Sequence, residues 1–169
     1  MERLWAGWRS AYLESASEEV SPGPDGCVFC ELIASDLAAD RTLIVWRSPL
    51  VVAVLNAFPY GSGHLLVMPT RHVGDLTEVA GEERAALWDT VHAALEAVTA
   101  AYRPSGVNVG ANLGRAAGAG IPGHLHIHVL PRWDGDTNFM TSVAGTRVLP
   151  EPLTETWDKL REAWPAPTT

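Results

Sequence analysis

Cysteine is scarce in this chain: two thiols, Cys27 and Cys30, occur in 169 residues. Set three apart in Cys27-Val28-Phe29-Cys30, they point to metal or redox use before a structural disulfide. Long apolar runs are missing too. None approaches the roughly 18 residues of a membrane-spanning helix, and the opening MERLWAGWRS lacks the apolar stretch of a secretory signal. The expectation is a soluble, cytoplasmic protein with no membrane partner. Basic residues are few, 12 against 20 acidic ones, for a formal net charge of -8. That balance disfavours nonspecific binding to a nucleic-acid polymer or an anionic lipid surface. It leaves room for a small phosphorylated ligand held by local donors.

What is present suits one folded domain. Hydrophobic residues at 47% against 19% charged argue against disorder, and seven tryptophans supply aromatic surface to bury. No internal repeat occurs. Residues 1–26 read as an N-terminal arm packed by Trp5 and Trp8, and residues 27–169 as a single domain. CVFCELIASD is a short helix candidate. The runs TLIVWR and LVVAVLN, parted by Ser48-Pro49, read as a hairpin, and GHLLVMP as a third strand. From Glu82 to Tyr102, Leu87, Val91, Leu95 and Val98 recur at helical spacing in an alanine-rich stretch, which predicts one long helix ending at Arg103-Pro104-Ser105-Gly106. GVNVGANL reads as a strand, NLGRAAGAGIPG as a glycine-rich loop and HLHIHVLP as the last strand. After an irregular stretch past Trp133, TETWDKLREAW predicts a C-terminal helix stopped by Pro165. The fold class is α+β, with a mainly antiparallel sheet around one long helix.

Within the last strand, His124, His126 and His128 alternate with Leu125, Ile127 and Val129. Side chains on a strand alternate between faces, so the imidazoles share one face, spaced by about 6.6 Å, and the apolar side chains are free to pack on the helix. A single histidine, such as His64 or His92, reads as a surface or hydrogen-bonded residue. Three on one face would cost several kcal/mol to bury without partners. Two chemical readings follow: the row binds a catalytic metal with an open position for water, or one imidazole is a nucleophile oriented by its neighbours. A catalytic metal needs further ligands, and the next acids, Asp134 and Asp136, lie beyond Pro131, where the strand should end. The glycine-rich loop upstream offers close backbone approach and main-chain N–H groups to anionic oxygens, which suggests phosphate.

The run His124-Leu125-His126-Ile127-His128-Val129-Leu130 resembles the signature of the histidine triad superfamily, three histidines alternating with apolar residues. VVAVLNAFPYGSGHLLVMPTRHV, the NLGRAAGAG loop and PRWDGDTNFM extend the likeness to the branch of diadenosine polyphosphate hydrolases and phosphorylases, over about Leu4 to Trp164. The resemblance implies a five-stranded antiparallel sheet with a long helix, paired into a homodimer. It also implies nucleotidyl transfer, with His126 attacking the α-phosphorus of a nucleotide substrate and water or phosphate resolving the adduct. His128 would serve a phosphate oxygen or the leaving group, and main-chain amides of Ala119, Gly120 and Ile121 the equatorial oxygens. Asn56 would contact the ribose, Asn112 the phosphates, and Phe29, Leu32 and Val54 the base. Many relatives carry a glutamine and a serine or threonine where this chain has Gly120 and Ile121, so its phosphate contacts there are expected from the main chain.

A structural zinc site needs about four ligands, so the cysteine pair requires two more. His72 and His124 are the candidates, and relatives with such a pair are known for a structural zinc held this way. The expected cofactor is therefore Zn2+ on Cys27, Cys30, His72 and His124. With His124 a ligand, the chemistry falls to His126 and His128. A redox role fares poorly, since the pair lacks the strand-then-helix setting of a thioredoxin motif.

Overall fold

Two unbroken apolar runs, Val51–Leu55 and Leu65–Pro69, form the middle of the sheet because both of their faces are covered. A strand with one solvated face would alternate; every residue of these two is buried. The computed structural model describes residues 26–136 and 151–166. The chain runs α1 (Val28–Ala34), α2 (Ala39–Thr42), β1 (Ile44–Arg47), β2 (Val51–Leu55), β3 (Leu65–Pro69), α3 (Gly81–Tyr102), β4 (Gly106–Gly110), β5 (Ile127–Arg132) and α4 (Leu153–Glu162). All neighbouring strands are antiparallel, in the order β1-β2-β3-β5-β4. The expected five-stranded α+β arrangement is what the chain adopts. The N-terminal arm with Trp5 and Trp8, and most of the irregular stretch past Trp133, lie outside the described residues.

Each face of the sheet has its own core. On one, Val51, Ala53, Leu55, Leu65, Val67, Ile127 and Val129 meet Leu87, Val91, Ala94 and Val98 of α3. Full burial of the valine, leucine and isoleucine side chains among these contributes about 1.5–3 kcal/mol each. The other face gathers Val52, Val54, Leu66 and Met68 under Cys27 and Phe29. α4 closes the first core: the Trp157 indole N–H donates to the Ile44 carbonyl at 3.0 Å, and Trp164 stacks on Trp46 at 5.9 Å. Glycine is required at Gly63, where φ is +75° and a Cβ would meet both the Pro131 and Tyr102 rings at 2.9 Å.

One strand boundary differs from expectation. β5 begins at Ile127, so His124 and His126 precede it. The reason is the partner: β3 ends at Pro69, and the main-chain N–H of Leu125 donates instead to the carbonyl of Val73 at 2.6 Å. Proline has no N–H with which to continue a ladder. The side-chain alternation survives the break. Leu125 joins Ile127 and Val129 beneath α3, while the histidines face the α1 side.

Candidate active site and metal centre

The Leu125–Val73 hydrogen bond draws the segment after β3 against the segment before β5. Gly74 permits the approach, since a Cβ there would lie 2.7 Å from the Pro122 carbonyl oxygen. His72 and His124 thereby reach the cysteines at the start of α1. Sγ of Cys27 and Sγ of Cys30 each lie 3.5 Å from Nδ1 of His124, and Sγ of Cys30 lies 3.2 Å from Nδ1 of His72. The four donor atoms all fall within 4.8 Å of one another. A tetrahedral ion with ordinary Zn–S and Zn–N bonds would set its sulfur and nitrogen ligands about 3.6 Å apart. The expected four residues are therefore brought together, with three sulfur-to-nitrogen distances close to those of a tetrahedral ion.

The hydrogen bonds around the site decide its tautomers, because a carbonyl oxygen only accepts and an amide N–H only donates. Nε2 of His124 lies 2.9 Å from the Pro69 carbonyl and must carry the proton, leaving the Nδ1 lone pair for the cysteine cluster. Such a carbonyl partner on the far nitrogen is the usual support of a metal-binding imidazole. Burial lowers the pKa of His124, which keeps that lone pair available. Burial also pushes the Cys30 thiol up to about 11, with Cys27 beside it adding to the rise, so a nearby cation is what would favour the thiolate.

His126 is fixed by its neighbour in the chain. Its Nδ1 lies 2.8 Å from the carbonyl oxygen of His124, so Nδ1 carries the proton and Nε2 bears the lone pair. The ring is 8% exposed, and desolvation lowers its pKa despite the carbonyl's opposing pull. An unprotonated imidazole with a defined free nitrogen is a competent nucleophile near neutral pH.

His128 takes its tautomer from a longer chain of contacts. The main-chain N–H of Tyr60 donates to Nδ1 of His64 at 3.0 Å, and Nε2 of His64 then donates to Nδ1 of His128 at 2.9 Å. Nε2 of His128 is left as an N–H donor. That atom is buried, with no hydrogen-bond partner among the described residues. Burial, then the proximity of His126, holds the His128 pKa down to about 4. The His126 and His128 rings sit 5.1 Å apart, edge to face. A lone pair on one imidazole and a donor on the next therefore stand side by side, which is what attack on an oxyanionic centre needs.

Of the two readings the sequence allows for His64, surface or hydrogen-bonded, the second holds: it is fully buried and bonded to His128, a partner the sequence does not identify. The signal was its place directly ahead of the apolar run Leu65–Pro69, where an imidazole must find a partner inside the protein. His92 is exposed, 3.4 Å from Glu96, as read.

The other expected residues fall around the pair of rings. Phe29 lies edge-on to His124 at 5.6 Å and to His126 at 5.2 Å. Val54, Leu32 and Ile121 pack in the same cluster. Asn56 has its oxygen engaged by the Phe58 N–H at 2.9 Å and its amide 3.3 Å from Nδ1 of His64, so it braces His64 as it stands. Asn112 donates to the Gly118 carbonyl at 3.4 Å and ties the glycine-rich loop to itself. Of the three amides expected to bind oxygens, that of Ala119 is committed to the Gly114 carbonyl at 3.3 Å. Gly120 and Ile121 keep theirs uncommitted among the described residues. The catalytic-metal reading of the histidine row is not what the geometry assembles: His124 turns to the cysteines, while His126 and His128 are held by a carbonyl and by His64.

Residues 39–135 match the family model of the HIT domain. An AP-4-A phosphorylase of Mycobacterium tuberculosis is 39% identical over 167 residues, spanning 97% of this chain and 85% of that protein. A zinc-bound histidine triad family protein from Mycobacterium smegmatis is 30% identical with a TM-score of 0.64, over 83% of this chain and 94% of that one. A hypothetical histidine triad nucleotide-binding protein from Sulfolobus tokodaii is 28% identical with a TM-score of 0.66, over 81% of this chain and 91% of that one.

Proposed function

The chain belongs to the HIT domain family, and we propose that it cleaves dinucleoside polyphosphates by moving a nucleotidyl group onto His126 and then onto inorganic phosphate. The observation that carries this reading is the tautomer of His126: its Nδ1–H donates to the His124 carbonyl at 2.8 Å, which leaves Nε2 as the attacking atom. Phosphate as the acceptor is favoured by the similarity to an AP-4-A phosphorylase at 39% identity across nearly the whole chain.

In the first step, the Nε2 lone pair forms a bond to the α-phosphorus and the bond from that phosphorus to the bridging oxygen breaks. The electron pair leaves with the nucleoside polyphosphate. Nε2–H of His128 donates to the bridging oxygen as it departs, and the amides of Gly120 and Ile121, uncommitted among the described residues, receive the charge on the equatorial oxygens. In the second step a phosphate oxygen attacks from the opposite side, the N–P bond breaks, and a nucleoside diphosphate leaves. Phe29, Leu32 and Val54 supply an apolar bed for the base, with Asn56 and Asn112 near ribose and phosphates.

Cys27, Cys30, His72 and His124 would hold a structural zinc ion, a reading supported by their 3.2–3.5 Å sulfur to nitrogen spacings and by the zinc-bound relative. The ion would pin α1, and with it Phe29, against His126. Metal-binding thiols suit a reducing compartment such as the cytoplasm. No helix among the described residues is long and apolar enough to cross a membrane. We read the active form as a homodimer, supported by β4, a sheet edge whose Val109 is 41% exposed.

The test is incubation with diadenosine tetraphosphate, with and without inorganic phosphate. ADP and ATP formed only when phosphate is present is the expected result. AMP formed without phosphate dependence would make the enzyme a hydrolase, and no turnover would sink the reading.

A further inference from the structure

An aromatic ring, that of Tyr60, lies against the His64–His128 pair. Tyr60 is tilted over His64 at a centroid distance of 4.7 Å and lies nearly parallel to His128, at 5.8 Å and 20°. It is 49% exposed, whereas His64 beneath it is fully buried. Its main-chain N–H, 3.0 Å from Nδ1 of His64, is the nearer of the two donors on that atom, the Asn56 amide being the other at 3.3 Å. The segment that follows, Gly61-Ser62-Gly63, is held by packing, with Gly63 against the Pro131 and Tyr102 rings, and adds no side-chain hydrogen bond, since the Ser62 hydroxyl has no partner among the described residues. A loop of that composition holds an amide in place only if something packs, since glycine leaves its backbone conformationally free.

We infer that Tyr60 is a positioning residue for the leaving-group step: its ring pins its own amide on His64 and shields the His64–His128 hydrogen bond from water, so that His128 presents Nε2–H to the departing oxygen. The inference rests on the nucleotidyl-transfer reading for its chemistry and on the observed contacts for its geometry. His128 gives up no proton in this step. The P–O bond breaks as the N–P bond to His126 forms, the electron pair stays on the leaving oxygen, and the N–H donates a hydrogen bond to it. Water competing for Nδ1 of His64 would allow both tautomers at His128, and the half with a lone pair at Nε2 would repel that oxygen.

The test uses aryl esters of AMP whose phenols span a range of acidity, with the full-length protein and the Tyr60→Ala and Tyr60→Phe variants. Loss of a hydrogen bond to the leaving oxygen matters most for the poorest leaving group. Tyr60→Ala should therefore lower kcat by about 10–100-fold on the least acidic phenol and by far less on the most acidic one, below the full cost of losing an oxyanion donor. Its dependence on phenol acidity becomes steeper, and Tyr60→Phe restores the original slope. A purely structural defect would lower every rate by one factor and leave the slope alone, which would overturn the proposal. Imidazole 15N spectra give a readout independent of turnover: one Nε2–H tautomer at His128 in the unsubstituted protein and in Tyr60→Phe, and a mixture in Tyr60→Ala. A single tautomer retained in Tyr60→Ala would also overturn it. Should the unsubstituted protein fail to cleave any ester, the nucleotidyl-transfer reading fails, while the spectra still decide the role of Tyr60.

Discussion

At His126 a single carbonyl oxygen separates the donor end of the ring from the end proposed to attack, so removing the ring should remove the chemistry and leave the fold standing. His126→Ala is expected to lose at least about 10^4-fold in kcat, with no acid-labile nucleotidyl adduct by mass spectrometry and an unchanged metal content. His64 touches no reacting atom in this scheme and acts through His128. His64→Ala should cost less, about 10–100-fold, bounded by the loss of the donor itself. The same burial has a pH signature. An unfolded imidazole near its ordinary value of 6.5 takes up a proton that the native His128, held to about 4, refuses. Between those values the unfolded state binds more protons, so stability falls as pH falls through the window and is constant above it. Calorimetry of the metal-free protein should show the melting temperature dropping over that range, and His128→Gln should flatten part of the drop. The triad was legible in sequence because alternation over five residues is a local pattern. His64 was not, because its partner lies 64 positions away, across β3 and β5.

α1 is a seven-residue helix, too short to hold by its own hydrogen bonds. It is fastened by Cys27 and Cys30 at its start and by Phe29 against the sheet. Cys30→Ser, or chelation, should therefore lower the melting temperature by several degrees and raise KM for the nucleotide more than it changes kcat, because Phe29 and Leu32 lose their support while His126 keeps its carbonyl. Metal analysis and steady-state kinetics on the same preparation check both halves. Gly74→Ala attacks the site from its other side. A Cβ meeting the Pro122 oxygen at 2.7 Å must displace backbone, so a loss of about 1–3 kcal/mol in chemical denaturation and a reduced metal content are expected. The elements themselves were readable: α3 from its helical spacing, β2 and β3 from apolar runs bounded by turn residues. The start of β5 was not readable, since it depends on Leu125 finding Val73 where β3 has ended in proline.

At the scale of the molecule, the order β1-β2-β3-β5-β4 leaves β4 with one side unpaired among the described residues. All but one of its five residues are exposed, as a strand awaiting a neighbour would be. Light scattering after size exclusion should give twice the chain mass, and Val109→Lys should shift the population towards the monomer. The pairing was expected from the family resemblance alone, because an open edge looks the same in sequence whether a second copy covers it or water does. The acidic balance, -8 overall, puts the work of holding a polyphosphate on a few local donors, and binding should depend on salt far less than a basic surface would.

His124 serves two masters with different parts of itself. Its ring faces the cysteines, while the group that sets the nucleophile's tautomer is its main-chain carbonyl, which every amino acid possesses. Substitution can erase the proposed metal ligand but cannot delete that oxygen. A descendant of this chain could thus shed the proposed metal site one ligand at a time and still inherit His126 with its Nδ1–H held and its Nε2 lone pair open.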